Sequence, residues 1–143
     1  MFEDLLSAAF VVLNWKTLIS ISAGTIVGLM IGAIPGLSAT MGMALLSPFT
    51  FFVEPLVGIP FLIGLFKGGT FGGSVSAILI GTPGTAANAA TLLDGYEMCK
   101  KGRAGEAILG ALHASLVGDF FGTIALIFGA PTLALIAIKF GPH

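Results

Sequence analysis

The chain has 143 residues, of which 56% are hydrophobic and only 9% charged, and its mean hydropathy is +1.06; a soluble domain carries roughly 25% charged residues. Six Lys and Arg with seven Asp and Glu cannot wet the surface of a globule this apolar, which excludes an ordinary soluble protein and makes a bilayer the natural solvent. The net charge of −1 and a total of only six bases argue against a nucleic-acid partner, whose phosphates need many clustered cations. The single Cys99 excludes an intrachain disulfide, and no Cys/His cluster has the spacing of metal ligands.

The N-terminus, Met1-Phe2-Glu3-Asp4, is acidic and lacks the basic region of a signal peptide. Residues 5–13 read as an interfacial helix. From Thr17 to Ile34 the chain is uncharged and mostly apolar, close to the roughly 20 residues that cross a hydrocarbon layer, with Trp15 and Lys16 as anchors at its edge. Gly24, Gly28, Gly32 and Gly36 recur at every fourth position, a stripe on one helix face that admits another backbone. Leu37 to Val53 starts after Pro35-Gly36 and contains Pro48, so it reads as a short or re-entrant helix. Apolar character resumes from Leu56 to Ile80, interrupted by Lys67-Gly68-Gly69 and Gly72-Gly73; one kinked span and two half-helices both fit. The polar stretch from Asp94 to Glu106 holds Lys100, Lys101 and Arg103 and reads as a cytoplasmic loop by the positive-inside rule, with Asp94 as a turn or cap residue. Ala107 to Ala130 is a further span with a second small-residue stripe, Gly110, Ala114, Gly118 and Gly122. Pro131 is expected to end or kink it before a short apolar run from Thr132 to Phe140.

Two interruptions carry the functional information: "GAIPGLSATMG" from Gly32 and "GTPGTAANAA" from Gly81. In hydrocarbon an unpaired N–H or C=O costs several kcal/mol, so broken backbone at membrane depth persists only inside protein or beside a wet cavity. Pro35 and Pro83 each remove a donor, and Gly36 and Gly84 permit backbone angles that other residues avoid. Small polar residues follow both pairs: Ser38 and Thr40 in the first, Thr85, Asn88 and Thr91 in the second. These suit helix N-termini, where free N–H groups carry positive partial charge. Two such ends facing each other form a site for an anion, the arrangement by which discontinuous helices in secondary transporters hold carboxylates.

Three segments together, "GAIPGLSATMG", "GGTFGGSVSAILIGTPGTAANAATLLDGYEMCKKGRAGEAI" and the terminal "FGP", resemble the large membrane subunit of the bacterial tripartite tricarboxylate transporters, over nearly the whole chain from about residue 17. The resemblance implies a multi-pass permease of the bacterial inner membrane. It also implies a small membrane subunit and a periplasmic solute-binding protein as partners, and import of citrate-like or other organic anions by symport on a gradient of Na+ or H+. Because members are much longer, residues 1–143 are expected to form a single membrane domain, the N-terminal part of a longer permease. Gly81 and Thr82 stand where the family commonly has Asn-Ile, and Ser38-Ala39 where it has Gly-Pro.

The expected fold is therefore all-α, a multi-spanning membrane protein with broken or re-entrant helices, one half of an inverted repeat. The expected substrate-binding residues are Pro35, Gly36, Ser38, Thr40, Lys67, Ser74, Ser76, Thr82, Pro83, Gly84, Thr85 and Asn88. Lys67 enters that set as a charge inside an apolar segment, where it costs roughly 2.5 to 3.5 kcal/mol on insertion scales unless it has a task; snorkelling to the interface is its structural alternative. Asp119 is the acidic counterpart, a binder of Na+ or H+ or a residue accepting backbone bonds at a helix end. No catalytic residue or resident cofactor is expected: "GGTFGGSVSAIL" lacks the order of a phosphate-binding loop, and no acid, base or nucleophile accompanies it. The alternative to a permease is a non-transporting membrane scaffold or assembly subunit, for which small-residue stripes alone suffice.

Overall fold

The computed structural model of the chain describes residues 12–139. Among the described residues five α-helices run in order: α1 (Trp15–Ala33), α2 (Ala39–Thr50), α3 (Pro55–Ile80), α4 (Ala89–Lys100) and α5 (Ala104–Lys139), with a short 3-10 turn at Ala86–Asn88. No strand occurs among the described residues, so the all-α expectation holds. The interfacial helix expected over residues 5–13 and the terminal Phe140 to His143 lie mainly outside the described residues. The chain divides into two compact units, one ending at Ile108 and the other beginning at Leu109.

The first unit is built on α1 against α3. Side chains at Gly24, Gly28 or Gly32 would run into the main chain of Phe61, Leu65 and Gly69 in turn, and side chains at Gly64, Gly68 or Gly72 into that of Ile21, Thr25 and Leu29. Two glycine stripes at four-residue spacing thus interlock, each giving the other's backbone a groove. The constant offset between partners also makes the helices parallel. Their shared first end is pinned by Thr17 Oγ1 donating to the Leu56 carbonyl at 3.4 Å, by Ser20 Oγ donating to the Val57 carbonyl, and by the Lys16–Glu54 ion pair at 4.0 Å. Gly36, the fourth member of the expected stripe, has nothing within 4 Å and takes no part; its φ of +88° serves the turn that ends α1.

Helix α2 returns along α3, with Gly42 against Ile31 of α1. Its start lies on Gly69, where a Cβ would come within 2.8 Å of the Ala39 Cβ, and its end lies on Gly58, within 3.0 Å of Thr50. It is short, as its sequence suggests, and Pro48 sits in its last turn. Pro48 has no N–H to give the Ala44 carbonyl, and the Ser47 hydroxyl donates to that oxygen instead at 3.4 Å. Helix α3, by contrast, is a single unbroken element through Lys67-Gly68-Gly69 and Gly72-Gly73. The glycines that read as interruptions are its contact surface, with Gly64, Gly68, Gly69, Gly72 and Gly73 all buried. The reading of two half-helices is corrected accordingly.

Burial in this unit runs opposite to that of a water-soluble bundle. The buried residues of α1 are Thr17, Ser20, Gly24, Gly28 and Gly32, while Leu18, Ile19, Ile26 and Met30 are at least half exposed. Small residues inside and large apolar ones outside suit a bilayer, where the driving force is close packing and not exclusion of water. At the shared first end Trp15, Phe51 and Phe52 are exposed beside Lys16 and Glu54, the aromatic and charged edge of a membrane interface. Helices α1, α3 and the Ala104–Ala130 part of α5 are long and apolar enough to cross a membrane.

After α3 the chain doubles back. Gly81, at φ +76°, caps the helix in the left-handed conformation and donates to the Ala77 carbonyl at 3.1 Å. The segment from Thr82 descends beside the last turns of α3 until Gly84 rests on Gly73. Helix α4 then climbs parallel to α3, with Gly95 on Ile78 and Tyr96 under Gly81. The polar stretch from Asp94 is thus largely helical, a correction to the expected loop, and Asp94 lies inside α4 and not at a turn. A turn at Gly102, φ +77°, leads into α5. There the Arg103–Glu106 contact is an exposed ion pair, of the kind that adds little stability.

The second unit is the remainder of α5. The helix continues through Pro131 to Lys139, so Pro131 does not end it and the separate short run does not exist. Within this unit nothing lies within 4 Å of a side chain placed at Gly110, Gly118 or Gly122.

Candidate functional site

The two Pro-Gly breaks arrive at one place. The first, Pro35-Gly36, releases the chain from α1, and Ser38 starts α2, its hydroxyl accepting from the Met41 N–H at 3.2 Å as an N-cap. That N-terminus lies on Gly69 of α3 through Ala39. The second break, Pro83-Gly84, leads to the 3-10 turn and the N-terminus of α4, which lie on Gly73, one helical turn further along the same face of α3. A side chain at Gly84 would come within 2.8 Å of the Gly73 Cα and 3.1 Å of the Gly32 carbonyl, so the second break also abuts the end of α1. Helix α2 runs from this level towards the first end and α4 runs away from it. Their positive N-termini therefore converge from opposite directions, and only small residues let them come this close.

Depth follows from the rise of about 1.5 Å per residue. Gly69 and Gly73 lie about 21 and 27 Å along α3 from its Pro55 end, and Gly81 about 39 Å. From Gly81 back to the level of Gly73 the hairpin dips about 12 Å. The segment from Thr82 to Lys100 is thus a hairpin that doubles back along the last turns of α3 before α4 leaves it.

The side chains sort by what they touch. Asn88 is 4% exposed; its amide nitrogen donates to the Thr70 carbonyl at 3.1 Å and its oxygen accepts from Ser74 Oγ at 3.0 Å. Thr85 Oγ1 is buried without a hydrogen-bond partner among the described residues, a cost of about 1 to 3 kcal/mol that calls for an explanation. Thr40 Oγ1 and Ser38 Oγ share a hydrogen bond of 2.7 Å. Ser76 is buried and donates within its own helix to the Gly73 carbonyl at 3.0 Å, the oxygen that also accepts from the Gly84 N–H at 3.5 Å. Thr82 is exposed and Pro83 half-buried on the descending limb. Pro35 and Gly36 are exposed at the α1 break. Lys67 is exposed near the middle of α3 and by register shares the face of Thr70 and Ser74. Gly69, Thr70 and Gly73 were absent from the sequence-based set although they form the floor of the site. The signal that finds them is the four-residue glycine spacing, which runs through Gly64, Gly68 and Gly72 beside them.

A family model, "Tripartite tricarboxylate transporter TctA family", matches residues 18–143. The chain belongs to the TctA family. Over 118 residues this TctA chain is 41% identical to an uncharacterized 52.8 kDa protein in the TAR-I ttuC' 3' region of Agrobacterium vitis, a match covering 82% of the chain and 24% of that relative. The chain thus spans about a quarter of the length of this relative. No solved structure matches it. Membership fits the architecture, an all-helical protein with three helices long and apolar enough to cross a membrane.

Proposed function

We propose that this TctA chain forms part of a secondary permease of the bacterial inner membrane that imports a tricarboxylate or similar organic anion. In this reading a periplasmic solute-binding protein delivers the anion, a small membrane subunit accompanies the permease, and a gradient of Na+ or H+ drives uptake. The observation that carries it is the convergence of the α2 and α4 N-termini on Gly69 and Gly73, on a helix long and apolar enough to cross a membrane. Unpaired amides with positive partial charge are what a carboxylate needs where water is scarce. The proposed ligands are N–H groups at the starts of α2 and of the 3-10 turn, the hydroxyls of Ser38, Thr40 and Thr85, and the charge of Lys67; the N–H groups of Leu37 and Gly84 are already paired, with the Ile34 and Gly73 carbonyls.

The test is uptake of labelled citrate, as the probe tricarboxylate, by cells expressing the protein from its native gene with its neighbours. Replacing Pro83-Gly84 by Ala-Ala is expected to abolish uptake while leaving membrane insertion intact. A scaffold without its own transport site would keep its partners' uptake after that change, and such a result would overturn the proposal.

A further inference from the structure

We propose that Asn88 is a positioning residue that sets the depth of the re-entrant hairpin, and that it does not bind the transported anion. The inference rests on the permease reading for its consequence in transport, but its geometry is independent of that reading.

Asn88 sits where the descending limb turns into α4. Both ends of its amide are engaged on α3, the nitrogen with the Thr70 carbonyl and the oxygen with Ser74 Oγ. With the residue 4% exposed, the amide presents no vacant face to a ligand of carboxylate size. The 3-10 turn and α4 carry no side-chain cap of their own, since neither Thr85 nor Asn88 bonds its side chain to the following amides. What holds the tip at the level of Gly73 is therefore the Asn88 amide together with the contact of Gly84 on Gly73. Gly73 has the complementary role: any side chain there would collide with the Asn88 amide nitrogen. The pair acts as a peg and socket, and Gly84 and Thr85, four and three residues before the peg, are placed by it.

The measurement is the alkylation rate of a buried reporter, made in membranes without substrate. With Cys99 replaced by Ser, Thr85→Cys puts a thiol where the buried hydroxyl lies. Adding Asn88→Ala is expected to raise its rate of reaction with a small maleimide roughly tenfold, the effect on hairpin opening of losing about two buried hydrogen bonds. Gly73→Ala, which removes no polar group, is expected to do the same by displacing the amide. Ser74→Ala, which breaks one bond and leaves Asn88 in place, gives a smaller rise and keeps the test valid should Asn88→Ala fail to insert. In the Thr85 background, citrate uptake is expected to fall in Asn88→Ala and in Gly73→Ala alike.

An unchanged alkylation rate in these variants overturns the proposal whatever uptake does, and lost uptake with an unchanged rate would make Asn88 a ligand. If the rate rises but the native protein fails to take up citrate, the positioning role stands and the permease reading falls.

Discussion

At Thr85 a buried hydroxyl without a partner gives two opposite expectations for one substitution. Thr85→Val keeps the shape and removes the unsatisfied group, so the unliganded protein should be as stable as before or more so, by up to about 1 kcal/mol. If the hydroxyl serves the anion, citrate affinity should nevertheless fall roughly tenfold, the worth of one hydrogen bond to a charged group. Thermal unfolding in detergent and equilibrium binding of labelled citrate measure the two separately; a loss of stability with unchanged affinity would assign Thr85 to the fold. Ser38 behaves differently, because its oxygen already accepts from Met41. Ser38→Ala should cost about 1 kcal/mol of stability as a lost N-cap. The residue types Ser, Thr and Asn after Pro-Gly were legible in the sequence because helix starts favour them. Their division into cap, peg and unpaired hydroxyl was not, because it depends on which residue of α3 each one meets.

At the scale of elements, the interlocked glycines decide the architecture. The stripe of Gly24, Gly28 and Gly32 was readable from its spacing alone, since four-residue periodicity needs no knowledge of the partner. Its counterpart on α3 was obscured by Gly69 and Gly73, which make adjacent pairs and mimic helix breaks. In a bilayer such pairs cost little, because the helix has no water to exchange its hydrogen bonds with. Gly28→Leu and Gly68→Leu are each expected to lower stability by about 1 to 3 kcal/mol or more, since what they strike is backbone and not a movable side chain. Gly105→Leu, with open space around it, should be nearly neutral. Denaturation of the purified protein in detergent makes the comparison; equal effects at the three positions would contradict the packing described here. The re-entrant hairpin was foreshadowed by Pro83-Gly84, but its depth was not, because it is set by Asn88 and by the absence of a Cβ at Gly73.

For the molecule as a whole, the parallel run of α1 and α3 places Trp15, Phe52 and Pro55 at one membrane face and Ile80 and Lys100 at the other. With Lys100, Lys101 and Arg103 following the hairpin, we propose by the positive-inside rule that the Ile80 face is the cytoplasmic one. The hairpin then enters from the cytoplasm, opposite to the side from which a periplasmic binding protein would deliver its solute. A membrane-impermeant maleimide should label native Cys99 in inverted vesicles and not in intact cells, whereas Val53→Cys in a Cys99→Ser background should show the reverse. The transporter family was legible through the order of its Pro-Gly and Gly-Gly-Ser motifs. Solute and coupling ion were not, because carboxylate selectivity depends on distances between charges in three dimensions, which motif order does not encode.

The central claim is that two helix ends inside the membrane receive an anion, and citrate binding to the Gly84→Val variant tests it most directly. Valine there meets Gly73 and the Gly32 carbonyl and forces the two N-termini apart. Binding measured by equilibrium dialysis is expected to be lost while the variant still inserts and labels at Cys99 as the native protein does; native affinity in a correctly inserted Gly84→Val protein would show that the anion is not held between these helix ends.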